Sequence, residues 1–169
     1  MILAIDVQYT ENNACIAGVL FESWTSQTPF KMQVTLVDGV ADYEPGQFYK
    51  RELPCILALL NEIEEPLDYI VVDGYVWLGC TGHKGLGGHL FDALNKATPI
   101  IGVAKKAFKD TPEVCAVYRG KSAKPLYVTT AGVDLEKAKE WISSMKGAHR
   151  EPVLLKKADQ LCRGIILPS

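Results

Sequence analysis

No C-x-x-C pair, no apolar run long enough to cross a membrane and no long polar tract occur in the 169 residues of this chain. The first absence removes paired-cysteine zinc and redox motifs. The second removes a spanning helix, and the third an intrinsically disordered chain. A surplus of basic charge is also missing: 18 Lys and Arg stand against 20 Asp and Glu, a net charge of -2. That balance gives no global basic footprint for nucleic acid, and leaves room only for a local patch. Cysteine is sparse, with Cys15, Cys55, Cys80, Cys115 and Cys162 scattered along the chain. They are expected to be buried, reduced thiols. The chain opens directly on a strand, without a basic region, an apolar stretch and a cleavage site, so a soluble, cytoplasmic protein is expected. Histidine is scarce as well, and Cys80, His83 and His89 lack a fourth zinc ligand at a workable spacing. The glycines of "GHKGLGG" follow neither the phosphate-loop nor the dinucleotide pattern and read as points of close helix–sheet packing.

What is there is apolar enough, at 48% hydrophobic residues, for one globular domain over residues 1–169. "ILAIDVQY" and "ACIAGVLFE" read as strands joined across "TENN". "FKMQVTLVDG" alternates, with Met32, Val34 and Leu36 on one face and Lys31, Gln33 and Thr35 on the other, as in a half-buried antiparallel strand. The period then changes. Ile56, Leu59, Leu60 and Ile63 fall at helical spacing, and Pro54, tolerated in a first turn, places the helix start near Glu52. "DYIVVDG" and "TPIIGVAKK" are buried parallel strands, with a helix between them near Leu90 to Lys96. Residues 108–124 are a short strand pair or a loop, and "PLYVTT" is a further strand. Two helices close the chain. The first, capped by Asp134, turns Leu135, Ala138, Ile142 and Met145 inward; the second turns Leu154, Ala158, Leu161 and Ile165 inward. The layout is α/β with a mixed sheet.

Three acids stand out by position: Asp6 inside an apolar strand, Glu52 opening a helix, and Asp73 ending a parallel strand before Gly74. Each alone has a plain reading, as a strand-edge charge, a helix-dipole partner or a turn residue. Together they suggest a cluster at the carboxyl end of the sheet, where α/β proteins place their sites. Clustered carboxylates repel one another, and a divalent cation removes that cost. Mg²⁺ or Mn²⁺ suits an all-oxygen set, and a pair of such ions serves phosphodiester cleavage. Tyr43, Phe48 and Tyr49 could stack on a base. Lys105 and Lys106 could face phosphate, whereas Lys156 and Lys157 read as a solvated face.

The chain resembles the endonuclease V family in register over nearly its whole length. "AIDVQY", "YEPGQFYKREL", "IVVDG", "GLGGHLFDAL", "TPIIGVAK", "PLYVTTAGVDLEKA" and "REPVLLKKADQL" carry the resemblance. It implies an RNase H-like sheet of five strands or slightly more, the first three antiparallel, with helices on both faces. It implies Mg²⁺-dependent cleavage (Mn²⁺ being possible) near inosine in DNA or RNA. Carried over, Asp6, Glu52 and Asp73 become the metal ligands and Lys105 a group beside them that contacts phosphate or water. Tyr43, Pro45, Gly74, His83 and Lys84 become the substrate-reading positions. The departures fall on that last group. "DYEP" (Asp42 to Pro45) stands where the family has a proline-tyrosine-isoleucine-proline wedge. "TTAG" (Thr129 to Gly132) stands where it has a serine-proline-glycine-histidine turn, and "GYVWLGCTGHK" replaces a glycine and a histidine-proline-arginine. Trp77 either caps or fills the site. Two readings follow, a divergent metal-dependent nuclease and a non-catalytic binding protein on the same fold.

Overall fold

The computed structural model describes residues 1–40, 42, 45 and 48–168, the side chain of Phe48 excepted. β1 (Ile2–Thr10) and β2 (Asn13–Phe21) pair antiparallel from Thr10 opposite Asn13 to Ile2 opposite Phe21. β2 is buried along most of its length because both faces are covered, which is why it reads as a continuous apolar run. β3 (Lys31–Val37) adds antiparallel to β2 and forms one edge. α1 (Phe48–Leu60) then crosses to β4 (Tyr69–Asp73), which lies parallel to β1. A small hairpin of β5 (Trp77–Leu78) and β6 (His83–Lys84) leads into α2 (Leu86–Ala93). β7 (Ile100–Ala104) lies parallel to β4. β8 (Ala116–Val117) and β9 (Leu126–Ala131) complete the sheet, β9 antiparallel to β7. The seven-stranded order is β3-β2-β1-β4-β7-β9-β8. α3 (Leu135–Ser144) and α4 (Val153–Cys162) close the chain.

The sheet separates two cores. Leu3, Ile5, Ile70, Val72 and Ile100 face α1 and α2 through Ile56, Leu59 and Leu90. Ile2, Ala4, Val71, Ile101 and Val128 face α3 and α4 through Ile142, Leu154 and Ala158. The glycine-rich segment works as expected: a Cβ at Gly88 would meet the Val76 carbonyl oxygen at 2.7 Å, so α2 can lie against its neighbour only as glycine.

Several expectations are corrected. α1 begins at Phe48, ahead of Glu52, and Pro54 sits within it, so one rung of the hydrogen-bond ladder is absent. α2 begins at Leu86, ahead of Leu90. On β3 the alternation fails at its end: Leu36 is 76% exposed, whereas Thr35 is buried and donates to Glu62 Oε2 at 2.9 Å. α1 packs on β2 and β3, while α4 packs on β1 and β2. Met32 and Val34, on the face of Leu36, still pack against the α4-side core, so the sheet is open only at the strand end where Leu36 stands, while the face of Thr35 is covered. Ile165 is exposed because α4 ends at Cys162, which takes the inward place. Cys80 is exposed, and all five cysteines are free thiols. Residues 108–124 contain a short 3-10 turn (Glu113–Cys115) and β8.

Candidate metal centre

Strand register builds the centre. Ile5 lies opposite Val72 on parallel strands, so the next residues, Asp6 and Asp73, fall in one row. Asp73 pairs in turn with Val103 of β7, and Lys105 follows two residues on. Asp6, Asp73, Lys105 and Glu151 line one cavity, walled by Leu155 and Ala158 of α4. Asp6 faces the α4 side of the sheet, and Val7 N donates to its Oδ1 at 2.9 Å. There it meets two groups that sequence reasoning missed. Oxygens of Asp6 and Asp159 and the Cys162 sulfur all lie within 4.8 Å of one another. Asp159 is steadied by Arg163, whose Nε donates to its Oδ1 at 2.9 Å.

The electrostatics are those of carboxylates shielded from water and set beside one another. Burial pushes the Asp6 carboxyl up to about 7, and the charge of Asp73 adds to the effect. Burial also pushes Glu52 up to about 7, again with Asp73 contributing and Arg51 opposing. Asp73 is open to solvent at the strand end yet walled by protein on its other sides, and desolvation raises it too, against the pull of Lys105. Asp73 is therefore the acid common to Asp6, on the α4 side, and Glu52, on the α1 side. Burial would lower Lys105, but Asp73, Glu151 and Asp6 hold its ammonium above the usual range. Its Nζ lies 3.2 Å from Glu151 Oε1. The Cys162 thiol is pushed up to about 12 by burial, and by Asp6 and Asp159 after it. The other donors here are hard carboxylate oxygens, a set that suits Mg²⁺ or Mn²⁺.

The remaining candidates divide. Gly74 takes φ +144, and nothing lies within 4 Å of where a Cβ would stand, which leaves open space beside Asp73. Pro45 is exposed, and Tyr43 lies outside the described residues. His83 is exposed with its Nδ1 3.0 Å from Thr81 Oγ1, and Lys84 is ion-paired with Asp92. Neither contact reaches the carboxylates. Tyr49 stacks on His89 with ring centroids 3.6 Å apart, so it is engaged within the protein. Trp77 neither caps nor fills the cavity: it packs against the core on the α1 and α2 side, and its Nε1 donates to Thr130 O at 2.9 Å, beside a bond from Val76 N to Thr129 Oγ1 at 2.8 Å. The "TTAG" stretch, expected as a turn, is the end of β9 up to Ala131, and it is bound to the substituted segment after Asp73. Asp159 could have been found in the sequence as an acid bordering the apolar stripe of α4, next to Ala158. Glu151 reads there merely as a helix-dipole charge.

A family model described as endonuclease V matches residues 1–116. Endonuclease V of Thermococcus kodakarensis is 33% identical over 162 residues, covering 95% of this chain and 77% of that protein. The crystal structure of the Streptomyces avermitilis endonuclease V superposes with a TM-score of 0.76 at 25% identity, over 97% of this chain and 80% of that one. A Ciona intestinalis endonuclease V, in complex with a 24mer DNA containing an inosine followed by a ribo-adenosine, shares the fold with a TM-score of 0.80 at 21% identity, over 97% and 84% of the two chains. On these matches the chain belongs to the endonuclease V family.

Proposed function

We propose that this chain is a Mg²⁺-dependent endonuclease that hydrolyses phosphodiester bonds near deaminated bases, inosine first among them, in DNA or RNA. The observation that carries the reading is the row of Asp6 and Asp73, with Asp159 beside Asp6 and Glu52 reaching towards Asp73, in which burial pushes Asp6, Glu52 and Asp73 towards protonation. Asp6, Glu52, Asp73 and Asp159 would hold the cation, which would neutralise them, acidify a bound water and draw charge from the phosphate oxygens. Mn²⁺ offers the same hard coordination. The chain's own part is positional. Asp6 and Asp73 are fixed by strand pairing, Glu52 by α1, and Asp159 by its bond to Arg163. Lys105, held at the rim by Glu151, offers its ammonium to a phosphate oxygen as negative charge develops there. Gly74 leaves room for the nucleic acid beside Asp73.

A second reading, a binding protein that retains the ion but not the chemistry, is favoured by the bonds that engage Thr129 and Thr130 where relatives carry a histidine turn. The test is cleavage of end-labelled single- and double-stranded DNA and RNA, with and without one inosine, in Mg²⁺, in Mn²⁺ and in EDTA. A metal-dependent cut near inosine that Asp73→Ala abolishes supports the nuclease. Cutting that ignores inosine removes the specificity, and binding without cutting selects the second reading.

A further inference from the structure

The carboxylates sit between two unlike flanks. On one, the chain leaves β3 through Asp38 and Asp42. On the other lie the turn after β7 and the turn between β8 and β9. These carry Lys105, Lys106, Lys109, Lys121 and Lys124 against Asp110 and Glu113. Ala104 lies opposite Tyr127, and Arg150 hydrogen-bonds the carbonyls of both Lys105 and Pro125, so these turns share the sheet end that bears Asp73. The far end is acidic, with Glu62, Glu64, Glu65 and Asp68 between α1 and β4. A chain of net charge -2 thus carries a local excess of lysine on one side of its acidic centre, five lysines against two acids.

An aromatic ring stands on that side. Phe108 is 46% exposed, unusual for a residue so well fastened. Tyr75, two residues after Asp73, donates from its hydroxyl to Lys106 O at 2.7 Å and accepts from Phe108 N at 3.2 Å. Thr111 adds a hydroxyl bond to Phe108 O at 2.7 Å and a backbone bond to it at 3.1 Å. Gly79 lies so close that a Cβ there would meet Lys109 O at 2.9 Å. The Phe108 ring leans on that of Tyr75, centroids 6.3 Å apart and tilted by 59°, and a half-exposed ring on a turn already rigid loses little entropy when something stacks on its open side. Lysines on either side of that ring select an anion that also carries flat faces.

We propose that a single-stranded stretch of nucleic acid leaves the carboxylate centre over the turn of residues 105–112, stacking a base on Phe108 and laying its backbone along Lys106 and Lys109. This rests on the nuclease reading and gives it a direction, away from the flank of Asp38 and Asp42. Charge complementarity favours this occupant over an apolar peptide, and stacking favours a single strand over a duplex whose bases are already stacked.

The test is the anisotropy of fluorescein-labelled single-stranded 20-mers of DNA and of RNA, and of a duplex, with Ca²⁺ replacing Mg²⁺ so that the probes stay intact. Phe108→Ala should weaken single-strand binding roughly ten-fold and duplex binding much less. Phe108→Trp should keep the affinity, and its added fluorescence, measured above that of wild type, should be quenched by the probe. Lys106→Ala with Lys109→Ala should weaken all probes and flatten the salt dependence. If wild type binds and cuts but neither set of variants binds less tightly, the path is wrong and the nuclease reading stands. Equal losses on single strand and duplex with Phe108→Ala would overturn the stacking. A wild-type protein that neither binds nor cuts any probe would overturn both.

Discussion

Asp6 is half-buried beside another acid, and its carboxyl and that of Glu52 are both pushed up to about 7. In an unfolded chain such groups lose their protons near pH 4. Between those values the folded state binds more protons than the unfolded one. The stability these groups allow is therefore full below about pH 4 and is lost as pH rises through 7. Asp6→Asn keeps an oxygen for Val7 N and removes the charge. In EDTA at pH 8 it should raise Tm, by roughly 2–4 °C for each ~1 kcal/mol relieved, with little change at pH 4, while in Mg²⁺ cleavage should be lost. A lower Tm at pH 8 in a thermal scan would mean that the protein's own cations already neutralise Asp6. Lys105→Met should act differently. Single-turnover cleavage should slow about a hundred-fold for want of a cation facing the phosphate. Calorimetric binding of Mn²⁺ should hold or tighten, because a positive charge has gone from beside Asp73 and Asp6.

Arg119 shows how one residue governs a connection between elements. It is 6% exposed and donates to the carbonyls of Met145, Gly147, His149 and Arg150, the segment between α3 and α4. That segment delivers Arg150 to Lys105 O and Glu151 to Lys105 Nζ. Arg119→Met saves the desolvation of a charge but strips several carbonyls of a donor. The second effect should win, at about 2 kcal/mol of destabilisation in urea unfolding. Unchanged stability would mean that water replaces the guanidinium. No pattern in the sequence marks Arg119, because its partners are backbone atoms some 26 to 31 residues away. The strands and helices were legible where burial follows a simple period: β1, β4 and β7 as apolar runs, and α3 with Asp134 accepting from Lys137 N as its cap. They were misread where coverage is uneven or an element stops early, at Leu36, Pro54 and Ile165. Asp6 and Asp73 were legible as neighbours because one interrupts an apolar strand and the other ends one, at the same phase of the paired strands. The sequence marks Asp159 only as an acid bordering the stripe of α4; that it meets Asp6 depends on the packing of α4 on β1, which no local pattern gives.

At the scale of the whole molecule, the carboxylates come from the sheet and from the helical layers on both of its faces. Asp159 belongs to the α4 layer, Glu52 to α1 on the opposite face, and Asp6 and Asp73 to the strands between them. A cation held by all four would couple both layers, so its binding should be read in global unfolding as well as at the site. A ligand that binds only the folded state at a hundred times its Kd adds about 2.7 kcal/mol. For a chain of this length that is a rise in Tm of about 5–10 °C. The rise should be larger at pH 8 than at pH 5, because below about 7 protons compete for Asp6 and Glu52. Calorimetric scans with Mg²⁺ or Mn²⁺ at the two pH values, beside Asp73→Ala, test this. Asp73→Ala should lose the metal-dependent rise at both pH values, since Asp73 is the acid shared by the two sides. A rise of equal size at both pH values, or one that survives Asp73→Ala, would place the ion elsewhere on the protein and detach it from the row that strand register builds.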